Sequence, residues 1–238
     1  MPHEKMNEQQ VASYLHMDVR ELTKLASRGK IPCHRSRGAL VFRKSEVDHW
    51  VERQMHKLDR RRLAGIEKGV SAHHGFDPHS PLVWPMIPPR GLAVPLKART
   101  KDAVIRELVD LACRCGLVHD RGKLIDEVRG REALCSTAVA PLVAIPHPRH
   151  PLPGDIAASF VVAGVTASGI PFGAADGSLA RLFFLICCKD DRTHLHVLAR
   201  LGQMLHDRRC VDEMIAASDS QQLGEVIKRV EVVVLNKA

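Results

Sequence analysis

No run of about 18 uninterrupted apolar residues occurs in the 238-residue chain, so no segment is long enough to cross a bilayer as a helix. The first ten residues are polar and lack the apolar core of a signal peptide, so the chain is expected to be cytoplasmic, without membrane insertion. Aromatic residues are scarce, at 4%, and the core must therefore be built from Leu, Val, Ile and Ala within an apolar share of 45%. C-x-x-C pairs are missing among the seven cysteines (33, 113, 115, 135, 187, 188 and 210), and with them the regular spacing of a zinc site. The thiols read as reduced groups scattered through and near the core, and neither a metal nor a cofactor is expected. No internal repeat is present.

What is present is basic charge, unevenly spread. The net charge is +8, and residues 1–70 hold 15 Lys and Arg against 9 Asp and Glu, while residues 71–238 hold 20 against 18. A compact basic segment beside a nearly neutral one fits a polyanion partner for the first, although a solvated basic face gives the same count.

The chain divides into three pieces: 1–58, 59–91 and 92–238. In the first, Asn7 and Gln10 have the spacing of a capping box, and Val11, Ala12 and Leu15 form a helical stripe. Asp18 can cap a second helix through Leu22, Leu25 and Ala26, which Gly29 stops and Pro32 keeps from resuming. Val41 and Phe42 suit a hairpin turning near Gly38, and Ser45 is placed to cap a third helix with Val47, Trp50 and Val51 inward. Two short helices joined by a tight turn are the helix-turn-helix pattern, whose second helix enters the major groove. That helix exposes Arg20, Lys24 and Arg28 at spacings of four, and the hairpin offers Arg35, Arg37, Arg43 and Lys44 to a neighbouring backbone. Such cations neutralise phosphates, and arginine can read guanine edges.

The run from Asn7 through Arg28-Gly29-Lys30-Ile31-Pro32 to Lys44-Ser45-Glu46 and Trp50 resembles an excisionase- or MerR-type DNA-binding domain, with a small wing after the helix-turn-helix. The resemblance covers about 50 residues and implies double-stranded DNA as a partner.

The second piece opens with Arg60-Arg61-Arg62 and carries His73-His74, then Pro78, Pro81, Pro85, Pro88 and Pro89 within twelve residues. It reads as an extended, semi-stiff linker, its His pair part of that linker and its Trp84 and Met86 available for docking on a neighbouring surface. The third piece shows amphipathic helices over 101–115, 121–129, 193–205, 208–217 and 221–230, with Thr193 as a cap, and apolar strands at 160–163 and 182–186. Strands interspersed with helices indicate an α/β sandwich. The fold class expected for the whole is therefore a two-domain α+β chain. A small winged helix-turn-helix domain comes first, followed by an α/β sandwich with a mixed sheet flanked by helices.

Three elements of the third piece could carry chemistry: Arg131 to Thr137, Val143 to His147, and Thr193 to His196. A histidine after Pro146, with apolar residues before it, sits where a strand exits into a loop; a ring with a pKa of about 6.5 is largely neutral at pH 7 and can act as a nucleophile reaching solvent. Nothing in the spacing alone says phosphate, and a satisfied histidine at a strand end is the default there. In this order, R-E-A-L-x-S-T at Arg131, A-I-P-H at His147, I-P-F-G-A-A-D-G over 170–177 and H-L-x-V-L-A-R-L from His194 resemble the fructose/mannitol- and nitrogen-regulatory-type enzyme IIA domains of the phosphotransferase system. The resemblance implies that His147 accepts a phosphoryl group from an HPr-type phosphocarrier, that His194 supports it and that Arg131 holds the phosphoryl oxygens. Ser136 and Thr137 are then expected to bind the phosphoryl group with hydroxyl or backbone N–H donors, His150 and His196 are expected as bystanders, and Asp176-Gly177 as a turn between strands. The family's glycines between S-T and the I-P-H histidine are replaced by Ala138-Val139-Ala140-Pro141-Leu142, which gives up the freedom glycine has at positive φ. The implied protein is a phosphoryl carrier rather than a turnover enzyme, a DNA-binding regulator, and a homodimer on paired half-sites.

Overall fold

A computed structural model describes residues 5–36, 38–54, 58, 60–75, 77, 79–174 and 176–236, without the side chains of 49, 52, 53, 60 and 140. The chain separates into two compact units, Met1–Pro78 and His79–Ala238.

In the first unit, the strand β1 (Lys5–Met6) leads into helix α1 (Glu8–Tyr14) and helix α2 (Val19–Ser27). Asn7 and Gln10 form a reciprocal capping box on α1, and the Asp18 side chain accepts from Arg20 N at the start of α2. Both caps satisfy backbone donors that a helix start leaves open. Gly29 takes φ +62 and ends α2, with Lys30 N bonded back to Leu25 O. A hairpin follows, β2 (His34–Ser36) with β3 (Ala39–Arg43), and β3 pairs on its other edge with β1. Helix α3 (Lys44–Gln54) begins directly after β3, so Ser45 lies inside it rather than capping it. Val11, Leu22, Phe42, Val47 and Val51 are wholly buried.

The stretch after α3 departs from the expected linker. Residues Arg60–His74 form helix α4, which packs on α1 with Leu63, Ile66 and Val70 buried. Gly69 makes this contact feasible: a Cβ there would lie 2.3 Å from Tyr14 O. The prolines exclude helix only from residue 78 onward; before it, an apolar i, i+3, i+7 stripe finds a partner surface. His73 and His74 stack edge-on against Tyr14, with centroids 5.3 and 5.9 Å away.

The second unit is a five-stranded mixed sheet in the order β4-β7-β8-β6-β5. Its strands are β4 (Leu92–Leu96), β5 (Ala138–Ala140), β6 (Leu142–Ala144), β7 (Phe160–Ile170) and β8 (Ala180–Cys187). Helices α5 (Lys101–Arg114) and α6 (Arg121–Leu134) cover the face presenting Phe183, Leu185 and Cys187. Leu182, Phe184 and Ile186 point the other way, where α7 (Asp191–Met204), α8 (Arg208–Ile215) and α9 (Ser220–Leu235) pack. All six of these β8 residues are wholly buried, the pattern of a strand covered on both sides. Asp190, not Thr193, caps α7, accepting from Thr193 N and Oγ1. Asp176-Gly177 forms the expected turn, with Gly177 at φ +73.

Residues 80–86 belong to this unit as a fixed strap. Glu231 of α9, fully buried, accepts from Leu82 N, Val83 N and Trp84 N at 2.7, 2.7 and 2.8 Å. Arg200 of α7, equally buried, donates to Glu231 Oε1 and to Ser80 O, each at 3.3 Å. The indole of Trp84 lies over Gly224, where any Cβ would crowd it at 3.2 Å.

Candidate functional site

The candidate site residues lie at one strand end, one helix start and one helix end. Strand β6 runs parallel to β8, and Pro146 O continues that pairing by accepting from Ile186 N, so His147 emerges at the strand's C-terminal end. Its Nδ1 lies 2.7 Å from Ile145 O. A carbonyl only accepts, so Nδ1 carries the proton and the lone pair resides on Nε2. His194, in the first turn of α7, brings its ring to 5.0 Å from that of His147, at 53°. Forty-seven residues apart in sequence, the two imidazoles thus share one pocket.

The pocket is more closed than expected. His147 is 4% exposed and His194 8%, and Nε2 of each is shielded from solvent, so the ring of His147 does not reach bulk water in this conformation. His196 is also buried, while His150 is exposed.

Arg131 lies on the last turn of α6, which extends five residues beyond the expected end. The side chain is 3% exposed, its Nη1 donates to Cys135 O at 2.9 Å, and Nε has no hydrogen-bond partner among the described residues. Asp126 pairs instead with Arg129, and Glu132 faces Thr137 and Lys101. The Ser136 and Thr137 hydroxyls, expected to face a phosphoryl group, bond within the protein in this conformation. Ser136 Oγ donates to Phe172 O at 2.9 Å and Thr137 Oγ1 to Glu132 at 2.6 Å, so each hydroxyl proton is already committed. Glu132 and Lys101 were not among the expected site residues; their only sequence signal is the E of R-E-A-L and a helix start 31 residues earlier.

The glycine-free segment keeps the geometry that glycine would serve. Pro141-Leu142 joins β5 to β6, and Leu142 sits at φ +72. Proline followed by positive φ is the type II turn arrangement, in which glycine normally fills the second place.

The basic surface of the first unit divides differently from expectation. Arg20, Lys24, Arg28 and Arg35 are exposed. Arg37 lies outside the described residues. Arg43 is half-exposed and donates to Glu46 at 3.1 Å, which also faces His34 at 2.8 Å. Lys44 is a correction: it is 6% exposed, bonded to Asp48 at 2.6 Å and set 4.9 Å over the Tyr14 ring, so it is part of the core and not a phosphate contact. The hairpin-to-helix junction turns it inward. On α4, Arg62 pairs with Glu21 of α2 at 2.7 Å.

Residues 87–230 match the family described as "Phosphoenolpyruvate-dependent sugar phosphotransferase system, EIIA 2". The chain belongs to that family. Residues 6–55 match a helix-turn-helix domain family. The EIIA unit is 29% identical over 133 residues to a fructose-specific EIIA component of Haloferax volcanii, covering 55% of this chain and 84% of that protein. It is 26% identical over 136 residues to a fructose-specific EIIABC component of Bacillus subtilis; the match covers 56% of this chain and spans about a fifth of that longer protein, 21%. The solved nitrogen regulatory protein IIA-Ntr from Neisseria meningitidis superposes with a TM-score of 0.55 at 20% identity, over 60% of this chain and 97% of that one, a likeness of fold. A helix-turn-helix domain points to DNA binding and an EIIA domain to a phosphoryl carrier. No helix among the described residues is long and apolar enough to cross a membrane.

Proposed function

We propose that this protein is a DNA-binding transcriptional regulator whose EIIA unit carries a phosphoryl group on His147, received from an HPr-type phosphocarrier. The bond from Nδ1 to Ile145 O carries the reading, because it leaves Nε2 as the ring nitrogen available to attack. In the transfer, the Nε2 lone pair forms the new N–P bond. The bond from phosphorus to the donor's imidazole nitrogen breaks, and its electron pair returns to the donor. Nδ1 keeps its proton, and Ile145 O stabilises the cationic ring. His194 orients the first ring, and the buried Arg131 guanidinium offers a planar, permanently charged fork for the equatorial oxygens. Since Nε2 is covered in this conformation, acceptance includes an opening step at the pocket. The added charge of about −1.5 to −2 alters packing within the protein or a homodimer contact, and so DNA affinity. Arg20, Lys24, Arg28, Arg35, Arg37 and Arg43 supply the contacts to double-stranded DNA.

The covered Nε2 favours a second reading, a binding regulator without phosphotransfer. Intact-mass measurement after incubation with phosphoenolpyruvate, enzyme I and HPr separates the two. One added phosphoryl group, lost in His147→Ala, is expected; an unchanged mass selects the second reading. DNA binding that keeps its salt dependence in Arg20→Ala/Lys24→Ala, instead of losing a slope of about 2, refutes the groove assignment. Phosphorylation without DNA binding makes the chain a carrier feeding a sugar-specific acceptor.

A further inference from the structure

Glu132 has no role in the transfer just described, yet its carboxylate is the most heavily engaged group beside the site. It is 5% exposed and accepts from three donors: Lys101 Nζ at 2.9 Å, Thr137 Oγ1 at 2.6 Å and Thr137 N at 3.1 Å. So buried a carboxylate needs such donors to replace its lost hydration. The result is a closed loop from the last turn of α6 to Thr137, five residues on.

From Thr137 the contacts run to the nucleophile. Thr137 O accepts from Ile145 N at 3.0 Å, extending the β5–β6 pairing by one residue beyond Ala138 and Ala144. Ile145 O in turn accepts from His147 Nδ1. The position of that carbonyl, and with it the tautomer of the ring, is therefore tied to the α6 side through Thr137 as well as to β8 through Pro146. We infer that Glu132 is a positioning residue that selects the Nδ1–H tautomer of His147, acting through Thr137 and Ile145. The inference deepens the carrier reading and rests on it for its purpose. An imidazole protonated on Nε2 has no lone pair there to attack phosphorus.

The effect is geometric: the Glu132 charge is matched by Lys101 and does not contact the ring. Removing the carboxylate frees Thr137, lets Ile145 O drift, and leaves the ring without its fixed acceptor. The side chain that completes the anchor, Lys101, is half-buried over the Phe172 ring at 5.2 Å.

Histidine-ring ¹H–¹⁵N correlation spectra of the full chain test this, with the His147 signals assigned by their loss in His147→Gln. The unmodified chain is expected to show Nδ1 protonated and Nε2 bare. In Glu132→Ala the two ring nitrogens should shift toward averaged positions as the Nε2–H tautomer becomes populated, with Glu132→Gln shifted less. Thr137→Val, which removes one donor to the carboxylate and keeps the backbone, should shift in the same direction, and Thr137→Ser should restore the original spectrum. Unchanged ring signals in a folded Glu132→Ala chain overturn the inference; if that variant fails to fold, unchanged signals in Thr137→Val do so. The spectra need no phosphoryl donor. A tautomer shift in a chain that gains no mass with the phosphate relay supports the positioning role while refuting the carrier reading.

Discussion

Replacing Gly69 by alanine should destabilise the first unit, although alanine is the better helix former by about 1 kcal/mol. The added Cβ would stand 2.3 Å from Tyr14 O, 2.9 Å from Ser13 O and 2.9 Å from Tyr14 C, all backbone atoms at the end of α1 that cannot swing aside. A carbon–oxygen contact requires about 3.3 Å, so α4 must lift by about 1 Å. A gap of that size forfeits about a quarter to a half of the dispersion at the interface. Leu63, Ile66 and Val70 fill that interface, and full burial is worth about 1.5–3 kcal/mol for each. The expected loss is about 1–4 kcal/mol, partly offset by helix propensity, for a net of about 2 kcal/mol. Gly65 supplies the control. The nearest atoms a Cβ there would meet are all of the exposed His16 side chain, Cδ2 at 3.0 Å, Cβ at 3.3 Å and Cγ at 3.4 Å, so a few tenths of an ångström of give is enough. Gly65→Ala should therefore be neutral or stabilising by up to about 1 kcal/mol. Urea unfolding of the full chain, with hydrogen exchange followed over residues 60–74, measures both. A Gly69→Ala variant as stable as the parent, with α4 amides equally protected, refutes the close approach of α4 to α1.

Three further outcomes are expected. Glu231→Ala should cost the second unit about 3–5 kcal/mol, because it removes the carboxylate that Arg200 faces and that three backbone N–H groups share; the thermal midpoint should fall by about 10 °C, and a shift below about 2 °C would contradict the strap. Leu142→Gly exchanges a left-handed leucine, strained by about 1–2 kcal/mol, for glycine's entropy cost of about 0.5–1 kcal/mol; a small gain in stability is expected, and a loss above about 1 kcal/mol would show the turn unstrained. Hydrogen bonds from Arg129 first and Arg106 next hold the Asp102 carboxyl below its ordinary range. A depressed carboxylate contributes its stability above the unfolded-state value and loses it as pH falls through the folded one; Arg129→Ala should move the Asp102 titration upward in carboxyl ¹³C spectra, and an unmoved curve removes the pairing.

Local rules reached as far as local causes. The Asn7–Gln10 box and the Asp18 cap were legible because each side chain serves a backbone donor two or three residues away. The wing and the long β8 strand were legible from turn residues and apolar runs. What failed depended on partners remote in sequence. Helix α4 was hidden by the run of prolines that follows it, and the use of Gly69 shows only once Tyr14 O is placed beside it. Lys44 reads as surface charge until Asp48 and Tyr14 enclose it. Of the site, the sequence indicates His147 and His194 only through the order of motifs, since ring contact across 47 residues has no local signature. The burial of Nε2 and the commitment of the Ser136 and Thr137 hydroxyls were likewise beyond spacing, because each depends on what packs around them.

The strap has a practical corollary. The family match begins at residue 87 and stops at 230, so it excludes both Glu231 and the peptide groups it binds. A fragment trimmed to those limits would remove the Glu231 carboxylate and the Ser80 carbonyl to which the buried Arg200 guanidinium donates. A piece of the second unit that keeps these contacts therefore starts near residue 79 and includes the whole of α9, and residues 80–86 are part of the folded body rather than tether.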